Sequence, residues 1–163
     1  MRNLFIISFL FLSFSVNSQE TLKELLNKYN KESVPYISVQ ELAMPKIEAI
    51  ILDARELDEY KVSHINNAVH VGYDEFDLDT VVKSLPDTSS TIVVYCSVGI
   101  RSENIAHKLK KAGYSNVLNL YGGIFEWKNN NFPVYDINGN KTEDIHVFSK
   151  AWSKWLKKGN KIY

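Results

Sequence analysis

The alternation of short apolar runs with longer amphipathic segments is the feature that most constrains this chain. Between residues 49 and 120, each apolar run is followed by a segment of helical periodicity, which is the pattern of β-α-β units. The central runs are apolar on both faces, so they favour a parallel sheet covered by helices on both sides. We therefore predict an α/β fold with strands at residues 36–38, 49–52, 68–71, 92–95 and 117–120.

The predicted helices lie between and around these strands. The clearest one covers residues 102–112, where apolar residues recur at helical spacing and Gly113 follows the last of them. Glu103 lies in its first turn and lysines lie in its last turn, which suits the helix dipole. Other helices are predicted at residues 21–29, 56–62, 78–85 and 124–130.

The segment at residues 137–163 is predicted to be an amphipathic helical tail. One face of this helix is apolar and the other is rich in lysine, and the apolar residues are Phe148, Ala151, Trp152, Trp155 and Leu156. A helix packed on the domain is the favoured interpretation. A helix that contacts a membrane surface or a partner protein is the alternative.

The first 18 residues have the layout of a secretory signal peptide. Arg2 precedes an apolar run that is shorter than the roughly 20 residues needed to span a bilayer. A serine-rich stretch follows, and Val16 and Ser18 supply the small residues before a cleavage site. We predict cleavage between Ser18 and Gln19 and export of the chain, to the periplasm if it is bacterial and otherwise by secretion. Retention of the segment as an anchor is the alternative.

Charge and composition narrow the possible functions. The chain has 19 basic and 19 acidic residues, so it has no overall positive field that would attract nucleic acid. Its four histidines do not have the spacing of metal ligands, and its single cysteine has no partner. Phosphate-binding loops of the nucleotide type are absent as well. The sequence therefore predicts no nucleic-acid partner, no metal and no cofactor, and the function should lie in a local site.

Cys96, the only cysteine, stands where such a site is expected. A lone cysteine in an exported chain cannot form an internal disulfide, and a free thiol in an oxidising compartment is a liability unless it has a chemical use. Cys96 directly follows one predicted strand, and Asp53 and Tyr121 follow two others. Ligands of open parallel sheets bind beyond the carboxyl ends of the strands, so these residues should lie at one edge.

The loop that begins at Cys96 has the residues needed to hold an anion. Its backbone N–H groups can turn inward, and Gly99 permits the tight curvature. The start of the next helix and Arg101 both favour a thiolate. A buried structural cysteine is the alternative, but it does not explain why glycine and arginine share the loop. We predict Cys96 as the nucleophile, with a substrate bound by Ser97, Val98, Gly99, Ile100, Arg101 and Ser102.

Three motifs, in the expected order, resemble the signatures of the rhodanese-like domain family. They are residues 52–56 with 59–60 and 64–68, the loop at 96–102, and residues 121–123 with Trp127 and 133–134. The resemblance covers residues 40–136, with a helix and lead-in strand at 19–39 before it and the tail at 137–163 after it. It implies a twisted parallel sheet of about five strands with helices on both faces.

The resemblance also implies a chemistry, that of a thiosulfate:cyanide sulfurtransferase-like enzyme. Sulfane sulfur would pass from a small donor to a thiol, cyanide-like or protein acceptor through a persulfide on Cys96. The backbone amides of residues 97–101 would surround the transferred sulfur. Dedicated thiosulfate enzymes often have a basic residue directly after the cysteine, where this chain has Ser97, and this departure argues against thiosulfate as the natural donor.

Asp53, Arg55 and His64 are candidate supporting residues at the same edge. For Asp53 and Arg55, an ion pair that holds the end of the strand is favoured over a direct role in the reaction. For His64, a hydrogen bond to a loop is favoured over catalysis.

Two other functions remain open on the sequence. Phosphatases and arsenate reductases that share this fold have five residues between cysteine and arginine, whereas this chain has four, Ser97 to Ile100. The smaller ring suits one sulfur atom better than a tetrahedral oxyanion. A non-catalytic module that binds a partner is the third interpretation, and the retained cysteine argues against it.

Overall fold

A computed structural model describes residues 20–85 and 87–163. The predicted signal peptide at residues 1–18 and its cleavage site lie outside the described residues, so export stays a prediction. None of the described helices combines the length and the apolar character that crossing a membrane requires.

The centre of the fold is a five-stranded sheet in which all neighbouring strands are parallel. The strand order is β1-β5-β4-β2-β3. The strands are β1 Tyr36–Ile37, β2 Ile50–Asp53, β3 Val69–His70, β4 Ile92–Tyr95 and β5 Val117–Leu120. The predicted parallel α/β fold is therefore confirmed, and each predicted strand matches an observed one to within one or two residues.

Helices cover both faces of this sheet. They are α1 Leu22–Tyr29, α2 Val39–Leu42, α3 Leu57–Val62, α4 Leu78–Ser84, α5 Arg101–Lys111 and α6 Gly123–Asn129. Alternate residues of β4 enter two separate cores, since Ile92 and Val94 pack with α4 and α5 while Val93 and Tyr95 pack with α1, α2 and α6. A strand that is buried on both faces has no polar side to mark by alternation, which explains its continuous apolar run.

Helix α2 was not predicted from the sequence. Ser38 caps its start by accepting from the N–H of Glu41, and the Glu41 side chain accepts from the Ser38 N–H. This reciprocal pair is a capping box, and the Ser-x-x-Glu spacing that forms it is legible in the sequence. The helix was missed because four residues are too few for apolar periodicity to register.

The prediction of a helical tail is wrong. Strands β6 Val134–Tyr135 and β7 Lys141–Thr142 form an antiparallel pair, while β8 Asp144–His146 and β9 Asn160–Ile162 form a parallel one. Between β8 and β9 only a 3-10 helix at Ser153–Trp155 is regular. Phe148 has φ +62°, which an α-helix cannot contain.

Tertiary contacts explain why helical spacing did not produce a helix in the tail. The amide of Asn129, at the end of α6, donates to the carbonyl of Trp155 and accepts from the N–H groups of Lys157 and Lys158. Leu156 is buried in the core. These bonds to α6 replace the bonds that a helix would make within itself, and they fix the tail along the domain.

Candidate active site

Cys96 directly follows β4 and begins the loop that leads into α5. Its side chain is 1% exposed. The Sγ atom accepts hydrogen bonds from the Gly99 N–H at 3.2 Å and from the Ser102 hydroxyl at 3.5 Å. Both donors belong to the loop or to the first turn of α5, so the chain surrounds its own sulfur atom with hydrogen-bond donors.

These surroundings favour the thiolate form of Cys96. Burial alone raises the pKa of the thiol, because it penalises the charged form. The charge of Arg101 and the hydrogen bonds from Ser102 and Gly99 outweigh burial, and the pKa of Cys96 is lowered from its usual value. A thiolate is the nucleophilic form of cysteine.

The first two carbonyls of the loop are tied to the start of α6. The N–H of Ile124 donates to the Cys96 carbonyl at 2.9 Å, and the N–H of Phe125 donates to the Ser97 carbonyl at 3.1 Å. Gly123 makes this approach possible, because a Cβ there would lie 2.2 Å from the Cys96 oxygen. The glycine pair of the closing motif therefore allows α6 to hold the cysteine loop from behind.

A third carbonyl, that of Gly99, is held by two amide side chains. Asn30, which ends α1, and Asn119 of β5 both donate to it at 2.8 Å. Gly99 has φ +103°, a conformation that residues with a Cβ rarely adopt. The C=O and N–H of a trans peptide point in opposite directions, so holding these carbonyls outward turns the following N–H groups the other way.

The loop retains free donors after these bonds are made. Within residues 20–85 and 87–163, the N–H groups of Val98 and Ile100 bind no protein acceptor. Each follows a carbonyl that is tied back, and the Gly99 N–H between them binds the Cys96 sulfur. Successive N–H groups arranged in this way form a concavity that binds anions.

Arg101 is bound to a carboxylate. Its guanidinium donates to both Glu59 oxygens, at 2.7 and 2.8 Å, and to the Ser97 hydroxyl at 3.0 Å. The Ser97 hydroxyl in turn donates to Glu59. Burial raises the pKa of Glu59, but the hydrogen bonds and charge of Arg101 outweigh it and lower the pKa. Arg101 is thus held beside the loop by Glu59 of α3.

Asp53 and Arg55 form a separate ion pair inside the domain. Arg55 Nη2 lies 2.6 Å from Asp53 Oδ2, and both side chains are 0% exposed. Arg55 also donates to the Ser63 carbonyl, and the Tyr95 hydroxyl donates to Asp53. Burial would lower the pKa of Arg55, yet the charge of Asp53 raises it. The network joins the ends of β2 and β4 to the end of α3.

His64 lies outside the cysteine loop. Its ring stacks on Tyr60, with centroids 4.1 Å apart, and Nδ1 lies 3.2 Å from the Tyr60 carbonyl. Its backbone pairs with that of Tyr135. The structure thus brings residues 96–102 together around the sulfur and places Asp53, Arg55 and His64 in the surrounding framework.

The family of the chain follows from comparison with known proteins. A model of the Rhodanese-like domain matches residues 18–130, which is more than half of the chain. The chain belongs to this family. The predicted resemblance is therefore confirmed.

Two curated relatives illustrate the range of proteins that carry a rhodanese-like domain. A thiosulfate sulfurtransferase GlpE from Coxiella burnetii is 30% identical over 109 residues, which cover 67% of this chain and 97% of the relative. A tRNA uridine(34) hydroxylase from Erwinia tasmaniensis is 39% identical over 83 residues, which cover 49% of this chain but only 24% of that protein.

Solved structures agree with the rhodanese-like fold. A rhodanese-related protein from Thermoplasma volcanium has a TM-score of 0.55 and 27% identity, covering 62% of this chain and 97% of that one. A thiosulfate sulfurtransferase from Pseudomonas aeruginosa has a TM-score of 0.57 and 26% identity, covering 75% of this chain and 23% of that one.

A cavity of about 190 Å³ opens beside Cys96. The rhodanese-like loop lines one side of it, including Val98 and Ile100, and the tail supplies Phe148 and Trp152 on the other. Both aromatic residues lie beyond the matched residues 18–130.

In the described part of the chain, no group of three or more His, Cys, Asp or Glu side chains is arranged to hold a metal ion.

Several residues of the rhodanese-like site were not identified from the sequence. Glu59 lay inside a recognised motif, but nothing in its spacing names Arg101 as its partner. Asn30, Asn119 and Phe148 reach the site through tertiary packing alone. Only Asn119 could have been found from the sequence. It interrupts the apolar run of β5, and a buried amide needs a hydrogen-bond partner.

Proposed function

We propose that this rhodanese-like protein is a sulfurtransferase that carries sulfane sulfur as a persulfide on Cys96. The observation that supports the proposal most is the loop around the sulfur. Cys96 Sγ receives two hydrogen bonds, and the N–H groups of Val98 and Ile100 bind no acceptor among the described residues. This arrangement favours a thiolate first and an anionic persulfide afterwards.

The reaction needs two balanced displacements. The Cys96 thiolate attacks the terminal sulfur of a donor such as thiosulfate, the bond between the two donor sulfurs breaks, and sulfite leaves with its electron pair. An acceptor such as cyanide or a thiolate then attacks the terminal sulfur of the persulfide. Its S–S bond breaks, the product leaves with the transferred sulfur, and the Cys96 thiolate returns. No external oxidant or reductant is needed.

The residues around Cys96 have separate parts in this scheme. The Gly99 N–H and Ser102 hydroxyl stabilise the thiolate as a leaving group in the second displacement. The Val98 and Ile100 N–H groups would bind the terminal sulfur. Arg101 acts by its charge on the thiolate while Glu59 fixes its position, so Arg101 is a positioning residue.

Loop length and the state of Arg101 disfavour the phosphatase alternative. Only four residues separate Cys96 from Arg101, and the guanidinium that would face a phosphate is bound at two atoms by Glu59. The tRNA hydroxylase relatives share only about a quarter to a third of their length with this chain, so hydroxylation of tRNA is not proposed for it.

Cys96→Ser tests the proposal directly. The hydroxyl is nearly isosteric but a far weaker nucleophile at neutral pH, so we expect sulfur transfer to be lost and the fold to be kept. Mass spectrometry of the wild type, kept free of reductant and treated in parallel with thiosulfate and with benzenethiosulfonate, should show the mass of one added sulfur on the peptide that contains Cys96 for at least one donor. Transfer by Cys96→Ser at the wild-type rate, or hydrolysis of an aryl phosphate without persulfide formation, would contradict the mechanism.

A further inference from the structure

The wall of the active-site cavity that faces the cysteine loop is built by the tail. Phe148 and Trp152 line the cavity together with Cys96, and both lie beyond the residues that the family model matches. The mouth of this site is therefore shaped by a segment outside the matched rhodanese-like domain, and properties of that segment bear on which substrate enters.

The cavity is apolar at the points where a substrate would project from the sulfur. Val98, Ile100, Phe148 and Trp152 contribute hydrocarbon and aromatic surface. The one cationic side chain of the lining among the described residues is Arg101, which Glu59 neutralises and which lies 5.0 Å below the centre of the Phe148 ring. A small hydrophilic dianion finds no unpaired cation here.

Phe148 is held in place by its backbone rather than by burial. Its φ of +62° lies in the left-handed region, which an aromatic residue seldom adopts. Its N–H donates to His146 Nδ1 at 3.2 Å, and the next N–H, that of Ser149, donates to the Val147 carbonyl. The ring nevertheless stays 54% exposed. A strained residue that presents an aromatic ring at a site mouth has the features expected of a ligand contact.

We propose that the sulfur substrate of this protein carries an apolar organic group, which lies between Phe148 and Trp152 while its terminal sulfur reaches Cys96. The inference rests on the proposed transfer through Cys96 and adds a substrate class to it. The size is suitable, because apolar cavities of roughly 150 Å³ admit a benzene-sized molecule and this one has about 190 Å³. Organic thiosulfonates or persulfides with aryl or alkyl groups meet this description, and thiosulfate does not.

Two thiosulfonate donors of equal charge provide the test. Benzenethiosulfonate and methanethiosulfonate both give up their terminal sulfur to the Cys96 thiolate and release a sulfinate, so they differ only in the organic group. Cyanide serves as acceptor, and kcat/KM for each donor is divided by the rate of its uncatalysed reaction with cyanide. We expect the corrected ratio to favour the phenyl donor by about 10-fold or more, as for fitting an apolar group into an apolar pocket.

Substitutions in the tail locate the origin of that ratio. Trp152→Ala removes one wall, and Phe148→Asn removes the other while keeping a residue that tolerates a positive φ. Each should bring the corrected ratio at least about 5-fold closer to one. Trp155→Ala is the matched control, since Trp155 belongs to the same tail and does not line the Cys96 cavity. It should leave the ratio unchanged.

The outcomes separate this inference from the proposed function. A corrected wild-type ratio near one overturns the inference while sulfur transfer stands, and it does so without any variant that must fold. The inference is also overturned if the corrected ratio is unchanged in both Phe148→Asn and Trp152→Ala. It is overturned as well if Trp155→Ala lowers the ratio as much as these two substitutions do. Absence of any persulfide on Cys96 with thiosulfate and both thiosulfonates contradicts the proposed function and this inference with it.

Discussion

Two arginine–carboxylate pairs lie near the same sheet edge and differ in what surrounds them. Asp53 and Arg55 are 0% exposed, and their remaining bonds go to Tyr95 and to the Ser63 carbonyl. Glu59 and Arg101 are 2% and 18% exposed. Arg101 lines the cavity beside Cys96, and its charge lowers the pKa of that thiol.

The difference shows that the residue types of an ion pair do not by themselves reveal whether the pair serves stability or reactivity. The Asp53–Arg55 pair is enclosed by structural partners, so its consequence is confined to folding. The Glu59–Arg101 pair has one side open to the cavity and is close enough to Cys96 to act on its charge. Loss of the first pair should therefore be measured as loss of stability, and loss of the second as loss of reactivity.

Arg55→Met should give the largest effect. The substitution leaves the Asp53 carboxylate buried without its main partner, and breaking a buried pair in this way costs about 3–5 kcal/mol. We expect the free energy of unfolding, measured with denaturant, to fall by that amount. Asp53→Asn in the Arg55→Met background should cost far less than Asp53→Asn alone, because the interaction is already lost. Equal costs in the two backgrounds would show that the pair is not coupled.

Arg101→Met should chiefly lower activity. Deleting one electrostatic contributor to a preorganised site costs roughly 10- to 1,000-fold in rate, and the stability cost of about 1–3 kcal/mol should be smaller than that of Arg55→Met. The measurement is kcat for persulfide transfer beside denaturant unfolding of the same samples. A larger activity loss in folded Arg55→Met than in Arg101→Met would reverse the comparison.

The pH dependence of Arg101→Met sharpens this result. The wild-type charge lowers the pKa of Cys96, so its removal raises that pKa, and the thiolate then forms only at higher pH. The acid limb of the rate of Cys96 alkylation should therefore move to higher pH, with the rate recovering under alkaline conditions. Arg101→Lys restores the charge and should move the limb back toward the wild type. An unmoved limb in Arg101→Met would mean that Arg101 affects the rate by shape alone.

Ser102→Ala should give the smallest effect. It removes the hydroxyl whose single proton is shared between Asn119 Oδ1, at 2.7 Å, and Cys96 Sγ, at 3.5 Å. One hydrogen bond is worth about 0.5–1.5 kcal/mol, so sulfur transfer should fall by roughly 2- to 12-fold. Ser84→Ala, which removes a hydroxyl bond to the Val81 carbonyl on α4, is the control and should keep full activity. Identical rates for the two variants would exclude Ser102 from thiolate stabilisation.

Local patterns accounted for the sheet and for the position of the cysteine. The run at Ile92–Tyr95 is apolar because both of its faces are covered, and the residue after a parallel strand lies at the ligand-binding edge wherever the helices pack. Both conclusions depend only on residues that are close together in the chain, so they could be reached from the sequence.

Contacts between residues that are far apart in the chain could not be predicted from these local patterns. Arg101 was predicted to favour a thiolate at Cys96, but the sequence did not identify Glu59, 42 positions earlier, as the carboxylate that binds it at two atoms. The tail residues have helical spacing, yet Asn129 of α6 binds the carbonyl and N–H groups that a helix would have used. In both cases the deciding contact is tertiary, and the local spacing of residues does not reveal it.

The carbonyls of Cys96, Ser97 and Gly99 are held by α6, by β5 and by the end of α1, through hydrogen bonds that span 20 to 69 positions of the chain. None of them can hold the loop until the whole domain has assembled. In a nascent or unfolded chain, Cys96 is accordingly an ordinary, weakly acidic thiol. We therefore expect the lowered pKa of Cys96, and with it the reactivity of the thiol, to appear only when the fold is complete.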